Sequence, residues 1–270
     1  MAQPPRAIVT RPAREAAQWV QRLGTCGVHA QALPLIGIAA VGHPQLQQAL
    51  RAAQASWDGW RAVMFVSGNA VHHFFTASDA APLVQGMARP HAPRLWAPGP
   101  GTAAMLQGMG VPAACIDQPH GDAAQFDSEA LWQVVRGQIT PGDRVLVVRG
   151  ANTPASAGGS GREWLAERVA AAGGQVHFVA AYERRAPVLD AAQQALACAA
   201  AHDGSLWLFS SSEAIAHLRA ALPQQPWAQA RALATHPRIA DAARAAGFGH
   251  VQPCRPALQD VAASIKSWHE

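Results

Sequence analysis

Two stretches of the chain place hydroxyl side chains where a strand should turn into a helix. "MFVSGNAVHHF" (Met64–Phe74) and "LFSSSEAIAHL" (Leu208–Leu218) are one phrase written twice. Phe65 answers Phe209, Ser67 answers Ser211, Ala70 answers Ala214, Val71 answers Ile215 and His73 answers His217. In each, a buried-type apolar run ends in serine and a helical pattern follows. Ser67, Gly68 and Asn69 therefore open one helix, and Ser211 and Ser212 open the other. Serine and asparagine at such positions cap first-turn N–H groups. The same N–H groups, with the helix dipole behind them, attract anions. Turns of this kind suit the holding of carboxylates or phosphates.

Other residues fit that chemistry. In "GPGTAA", Gly99, Gly101 and Thr102 make a small turn that lets a ligand approach the backbone. The stretch lacks the lysine of a phosphate loop and misses the dinucleotide spacing. At the corresponding place later in the chain stand His236, Pro237 and Arg238, where Arg238 could clamp a carboxylate with two parallel bonds. Arg11 and Arg149 close the first strands of two similar segments. Arg162 opens a helix after the Gly/Ser/Ala-rich insertion "ANTPASAGGSG", which is either a lid or an idle loop. Tyr182 is the only tyrosine, and a phenol of ordinary pKa (~10) keeps its proton at neutral pH. Twelve histidines include one adjacent pair, His72-His73, whose side chains diverge on a helix, and no HExxH pattern supports a metal site. Cys26, Cys115, Cys198 and Cys254 lie too far apart for zinc or redox motifs and read as reduced thiols. The nine tryptophans read as packing.

These residues need elements to hold them. The chain has 270 residues, half of them hydrophobic, which is enough for two domains. Its formal charge of +4 comes almost wholly from scattered arginines, with Lys266 the single lysine. No basic run points to a nucleic-acid tail. No signal pattern opens the chain, and no apolar run reaches the ~20 residues that cross a bilayer, so a cytoplasmic protein without a membrane segment is expected. Short apolar runs such as "AIVT", "AVMFVS", "RVLVVRG" and "SLWLFS" alternate with helical patterns along the whole length. That alternation predicts parallel sheets with helices on both faces, whose ligand sites lie at the carboxyl ends of the strands.

The echo extends further. "RLWAPGPGTAAMLQGMGV" (Arg94–Val111) matches "RALATHPRIADAARAAGF" (Arg231–Phe248) in layout, and the segment from "IVTRP" to "GVHA" matches that from "LVVRG" to "GGQVHF". The order is short unit, long unit, short unit, long unit. Each short unit could join the long unit after it, giving two sequential domains. Alternatively, the first short unit could join the last long unit around an inserted middle, with "PLIGIAAVG" and "VAAYERR" as crossing points.

Together "VTRP", "PLIGI", "FVSGNAV", "APGPGTAAML", "FDSEALW", "VLVVRG…GREWLAERV", "VAAYERR", "LFSSSEAI" and "ATHPRIADAARAAGF" resemble the uroporphyrinogen-III synthase family in order and spacing over nearly the whole chain. The resemblance implies the crossed pairing: two similar doubly wound, flavodoxin-like α/β domains joined by a two-stranded hinge, with a cleft between them. The implied bounds are 1–35 with 184–270 for one domain, 42–178 for the other, and 36–41 and 179–183 for the hinge. It further implies that linear hydroxymethylbilane is cyclised, with inversion of ring D, to uroporphyrinogen III and water. No cofactor or metal is expected. The substrate is the expected partner of a monomer, beyond a transient contact with the preceding pathway enzyme; no nucleic acid or membrane is expected. Tyr182 matches the tyrosine that recurs in the family after the second crossover strand, and would donate a proton to the leaving hydroxyl. Arg11, Ser67, Gly68, Asn69, Gly101, Thr102, Arg149, Arg162, Ser211, Ser212, His236 and Arg238 would hold the substrate's carboxylates. His236-Pro237-Arg238 departs from the family's Gly/Thr pattern, which puts a threonine contact there in doubt. The competing expectation is a two-domain binding or regulatory module that keeps the fold without the chemistry.

Overall fold

The computed structural model describes residues 5–76, 81–87, 89, 91–121, 123, 125–151 and 160–268. Its strands, in chain order, are β1 (Ala7–Val9), β2 (Ala30–Ala32), β3 (Gly37–Ala40), β4 (Ala62–Phe65), β5 (Arg94–Trp96), β6 (Ile116–Asp117), β7 (Arg144–Gly150), β8 (Gln175–Arg185), β9 (Leu206–Phe209), β10 (Arg231–Ala234) and β11 (His250–Pro253). Its helices are α1 (Ala13–Thr25), α2 (Pro44–Ala55), α3 (Gly68–Thr76), α4 (Ala81–Gly86), α5 (Pro100–Gly108), α6 (Ser128–Val135), α7 (Ser160–Ala171), α8 (Ala191–Ala200), α9 (Ser212–Ala221), α10 (Pro237–Ala245) and α11 (Leu258–Lys266).

The chain divides into two compact units, Met1–Gly37 with Arg185–Glu270, and Ile38–Arg184. The first unit carries a sheet in the order β11-β10-β9-β1-β2, with every neighbouring pair parallel. Read from the β2 edge and numbered along the chain, this is the 2-1-3-4-5 order of flavodoxin-like folds. The second unit's sheet runs β3-β8-β7-β4-β5-β6, with β4 to β8 pairing in parallel. Without β3, its order is the same once β7 and β8 are counted before β4. The two sheets thus share one arrangement, with the short and long units taken in opposite chain order.

The strands read as unbroken apolar runs because both of their faces are covered. In the first unit, Ala7, Val9, Leu206, Leu208 and Leu233 pack with residues of α1 and α11. Trp207 and Phe209 stack at 5.9 Å, and Phe209 meets Phe248 edge-on at 5.3 Å. In the second unit, Val63, Phe65, Leu146 and Val148 join the cluster of α2, α3 and α5, whereas Ala62, Met64, Val145 and Val147 join that of α6 and α7. Alternate residues of each strand therefore feed opposite layers.

Several local features escape the alternation of apolar runs and helical patterns. Residues 44–55 form α2, which sequence periodicity leaves unassigned; Pro44 in its first turn and the His43 ring accepting from the Gln45 N–H are the available signals. Helix α1 passes Gly24 and stops at Thr25, with the left-handed turn taken by Gly27 at φ 74°. The "PAACI" stretch is mostly a single tight helical turn, Ala113–Cys115, leaving β6 only two residues long.

Candidate functional site

In the second unit, β4 and β7 lie side by side, yet β4 runs on through α3 to β5 on one side while β7 runs on through α7 to β8 on the other. Their carboxyl ends are a switch point, the place where open α/β sheets generally take their ligands. Ser67 follows β4 there, and Gly150 ends β7. The first unit repeats the plan at β1 and β9, with Pro12 and Ser211 in the matching places. Thr10 ties that pair of strands together by donating its hydroxyl to the Leu208 carbonyl at 2.8 Å.

Tyr182 reaches the second unit's switch point. Its side chain is 1 % exposed, and its hydroxyl lies 3.2 Å from Ser67 Oγ. Ser67 Oγ also accepts the Ala70 N–H at 3.3 Å, which caps α3. His73, further along α3, stacks on the phenol ring with centroids 5.9 Å apart and the planes inclined by 29°. What brings the ring here is a slip in strand pairing. Arg149 pairs with Ala180, but Gly150 pairs with Tyr182, so Ala181 is an extra residue in β8. Strict alternation would send Tyr182 to the face opposite Val179 and Ala181. The slip lets Val179, Ala181 and Tyr182 share the layer of α3. Gly150 makes room, since a Cβ there would sit 2.9 Å from the phenol Cε2.

The other candidate residues are placed less uniformly. Gly68 and Asn69 open α3 and Gly101 and Thr102 open α5, but Asn69 and Thr102 are only 8 % and 7 % exposed. Their side chains are inside, and Gly68 packs toward Met105 of α5. Arg149 lays its guanidinium 4.6 Å over the Phe178 ring, which is itself 41 % exposed. Burial lowers the Arg149 pKa, opposed by Glu163. Arg162 lies in α7; its side chain and residues 152–159 of the insertion read as lid or idle loop fall outside the described residues.

In the first unit, Ser211 caps α9 by accepting the Glu213 N–H at 3.2 Å, and Ser212 stands beside it, opening the helix. His236 caps α10 in the same way, its Nδ1 accepting the Arg238 N–H at 3.1 Å; Arg238 is exposed. Arg11 is turned onto its own helix. Its guanidinium stacks 4.4 Å over Trp19 and reaches Glu15 at 3.4 Å, while its buried Nε meets no acceptor among the described residues. Burial lowers its pKa, with Glu15 opposing.

Residues 17–263 match the model of the family described as Uroporphyrinogen-III synthase HemD. The chain belongs to the uroporphyrinogen-III synthase family. Among solved structures, a uroporphyrinogen-III synthetase from Helicobacter pylori is 16 % identical, covers 94 % of this chain and 95 % of its own, and superposes with a TM-score of 0.52, which shows a shared fold. A mutant uroporphyrinogen III synthase from the extremely thermophilic bacterium Thermus thermophilus is 18 % identical over 94 % of each chain, with a TM-score of 0.48. Among the described residues, no cluster of three or more His, Cys, Asp or Glu side chains is placed to hold a metal ion, and no helix is long and apolar enough to cross a membrane.

Sequence reasoning misses Gly150 and His73 as neighbours of Tyr182. Gly150 carries no signal, because a glycine after a strand reads as a turn. His73 does carry one: its partner in the repeat, His217, also meets a segment leading out of its sheet, through Nδ1 at 2.7 Å from the Leu35 carbonyl. A carbonyl only accepts, so His217 must hold its proton on Nδ1.

Two measurements test this geometry. Gly150→Ala overpacks the phenol and should cost about 1–3 kcal/mol, read from the midpoint of a denaturant melt with its slope unchanged. Cys254, near Arg11, has its thiol pKa pushed by burial from 9.0 up to about 12. As pH rises above 9, the unfolded chain releases this proton while the folded chain keeps it. Stability should therefore fall by about 1.4 kcal/mol per pH unit between those values. In urea melts from about pH 8 to 10.5, Cys254→Ala should remove that part of the decline.

Proposed function

We propose that this chain closes linear hydroxymethylbilane to uroporphyrinogen III and water, inverting ring D, with no cofactor. The family match over residues 17–263 supports the activity. The observation that carries the mechanism is the Tyr182–Ser67 hydroxyl pair at the carboxyl edge of β4 and β7.

The chemistry begins at ring A, whose terminal hydroxyl departs to leave an electrophilic azafulvene. A hydroxyl is a poor leaving group until it is protonated, so a neutral phenol near it lowers the barrier. Ring D then attacks through its already substituted carbon. The resulting spiro intermediate breaks and recloses with ring D turned over. Solution chemistry gives the uninverted isomer because the substituted carbon is the more crowded end. The protein must therefore hold the chain folded so that this carbon is the one presented.

The substrate's many carboxylates supply the handles. We read the first-turn N–H groups of α3, α5, α9 and α10 as their docking points, with Ser67, Gly68, Asn69, Gly101, Thr102, Ser211, Ser212 and His236 at those turns. Asn69 and Thr102 contribute through the backbone, given their buried side chains. A charge-assisted bond contributes about 1.5–3 kcal/mol, so a few suffice to order a flexible tetrapyrrole. Arg149 and Arg238 add charge at the same edges, and we read Arg162, in the first turn of α7, as a further carboxylate partner. Arg11 does so only by leaving Trp19 and Glu15, and its orphaned Nε lowers the cost of that move. The strands at 36–41 and 179–183 serve as the connection between the units. The reading takes the chain as a cytoplasmic monomer whose one further contact is a passing one with the enzyme that makes its unstable substrate.

The test uses freshly made hydroxymethylbilane, oxidation of the product and separation of the isomers. The protein should yield isomer III above the spontaneous isomer I. Isomer I alone would sink the reading. Tyr182→Phe should lower turnover by about 100-fold or more while leaving the thermal melt near wild type.

A further inference from the structure

Tyr182 is almost wholly enclosed, so its phenol does not itself face a ligand. The hydroxyl beside it is less enclosed. Ser67 is partly exposed at the start of α3, and its Oγ is the one partner of the phenol oxygen among the described residues. The hydrogen positions follow from counting. A buried phenol O–H needs an acceptor, and Ser67 Oγ is the acceptor within reach. Ser67 Oγ has two acceptor sites and one proton. The Ala70 N–H takes one site and the Tyr182 O–H takes the other. The serine's own proton is left to point away from both, toward the open edge of the sheet.

We propose that Ser67 is the group that touches the departing hydroxyl, and that Tyr182 acts through it as the proton reserve. The assignment rests on the cyclising activity proposed above and adds a role for Ser67 beyond carboxylate docking. In the first step the ring A carbon–oxygen bond breaks, and its electron pair leaves on oxygen. Ser67 gives its proton to that oxygen, making water, and takes the Tyr182 proton, leaving a phenolate. The pyrrole nitrogen's lone pair fills the gap at carbon. After ring D has inverted, closure at its free carbon expels the hydrogen of that carbon as a proton. This proton returns through Ser67 to the phenolate. The hydroxyl of one end and the hydrogen of the other have then left as one water, and both side chains are restored.

The arrangement explains why the phenol can be buried at all. A serine alone is a weak acid, and a phenol alone is out of reach. Hydrogen-bonded in series, they place the more acidic group behind the more accessible one. His73 against one face of the ring and Gly150 crowded near its edge keep the phenol oxygen aimed at Ser67.

The experiment compares Ser67→Ala, Ser67→Thr, Tyr182→Phe and the Ser67→Ala/Tyr182→Phe double variant in the isomer III assay, with thermal melts to confirm folding. Ser67→Ala and Tyr182→Phe should each lower kcat by about 100-fold, with KM within about threefold of wild type. The double variant should be no worse than about threefold below either single one, because residues acting in series are lost together. Ser67→Thr keeps the hydroxyl and should retain at least about a tenth of wild-type kcat. The relay is overturned if Ser67→Ala raises KM with kcat intact, which marks a docking residue only, or if the two losses multiply in the double variant. Wild-type protein that makes isomer I alone overturns the underlying activity instead, and the relay with it, before any variant is compared.

Discussion

A phenol closed off from solvent must still place its O–H, and that need organises the site. Tyr182 has Ser67 Oγ as its partner at 3.2 Å. Leaving the phenol proton unpaired would cost about 1–3 kcal/mol, comparable to the loss of a helix cap. The pairing fixes more than the ring. It ties β8 to the start of α3 and, in the relay proposed above, sets which way the serine's own proton points. The geometry exists because β8 carries one residue more than β7 along their shared edge. Parallel pairing seldom tolerates such a residue. Here the glycine at 150 admits it, with the tyrosine ring lying where a side chain would otherwise stand.

The same sheet plan appears in both units because one arrangement solves one problem. A parallel strand buried on both faces leaves only its ends free for chemistry, so polar groups gather at the carboxyl edge. At that edge each unit offers a serine-led helix: Ser67 before α3 and Ser211 before α9. Capping consumes one or two N–H groups of each first turn and leaves others to face outward. The turns can therefore stabilise the fold and receive anions at once, and no residue has to be spared from one task for the other.

Much of this is legible in the sequence. The alternation of apolar runs with helical patterns gives the parallel sheets, since buried strands cannot disguise their composition. The repeated serine phrase locates both switch points, because capping residues have a narrow choice of side chains. Helix α2 escapes because glutamine and alanine dominate it and its apolar stripe is thin. The placement of Arg11 is illegible for a different reason. An arginine at a strand end reads as a free cation, and nothing local to "VTRP" reveals that Trp19 and Glu15 lie within its reach along the following helix. The slip in β8 is the least legible feature. It depends on which residue of a neighbouring strand is a glycine, and strand pairing is not written in either strand alone.

The two units are alike in plan but unequal in equipment. Where β8 brings Tyr182 to the edge of the second sheet, the chain leaving β2 in the first offers Leu33, Leu35 and Ile36, all buried and apolar. Where Arg149 lies over a half-exposed phenylalanine, Arg11 is folded onto its own helix. Where His73 stacks on the phenol, His217 holds a backbone carbonyl. Both units thus offer helix starts with N–H groups to spare, which on the proposed reading is what a polyanionic ligand needs many times over. The second alone pairs a buried phenol with a serine, which on the same reading is what a single departing hydroxyl needs once. That division matches a substrate with carboxylates along its whole length and one bond to break, and it would be wasteful for a module that only binds, because such a module gains nothing from a buried phenol wired to a surface hydroxyl.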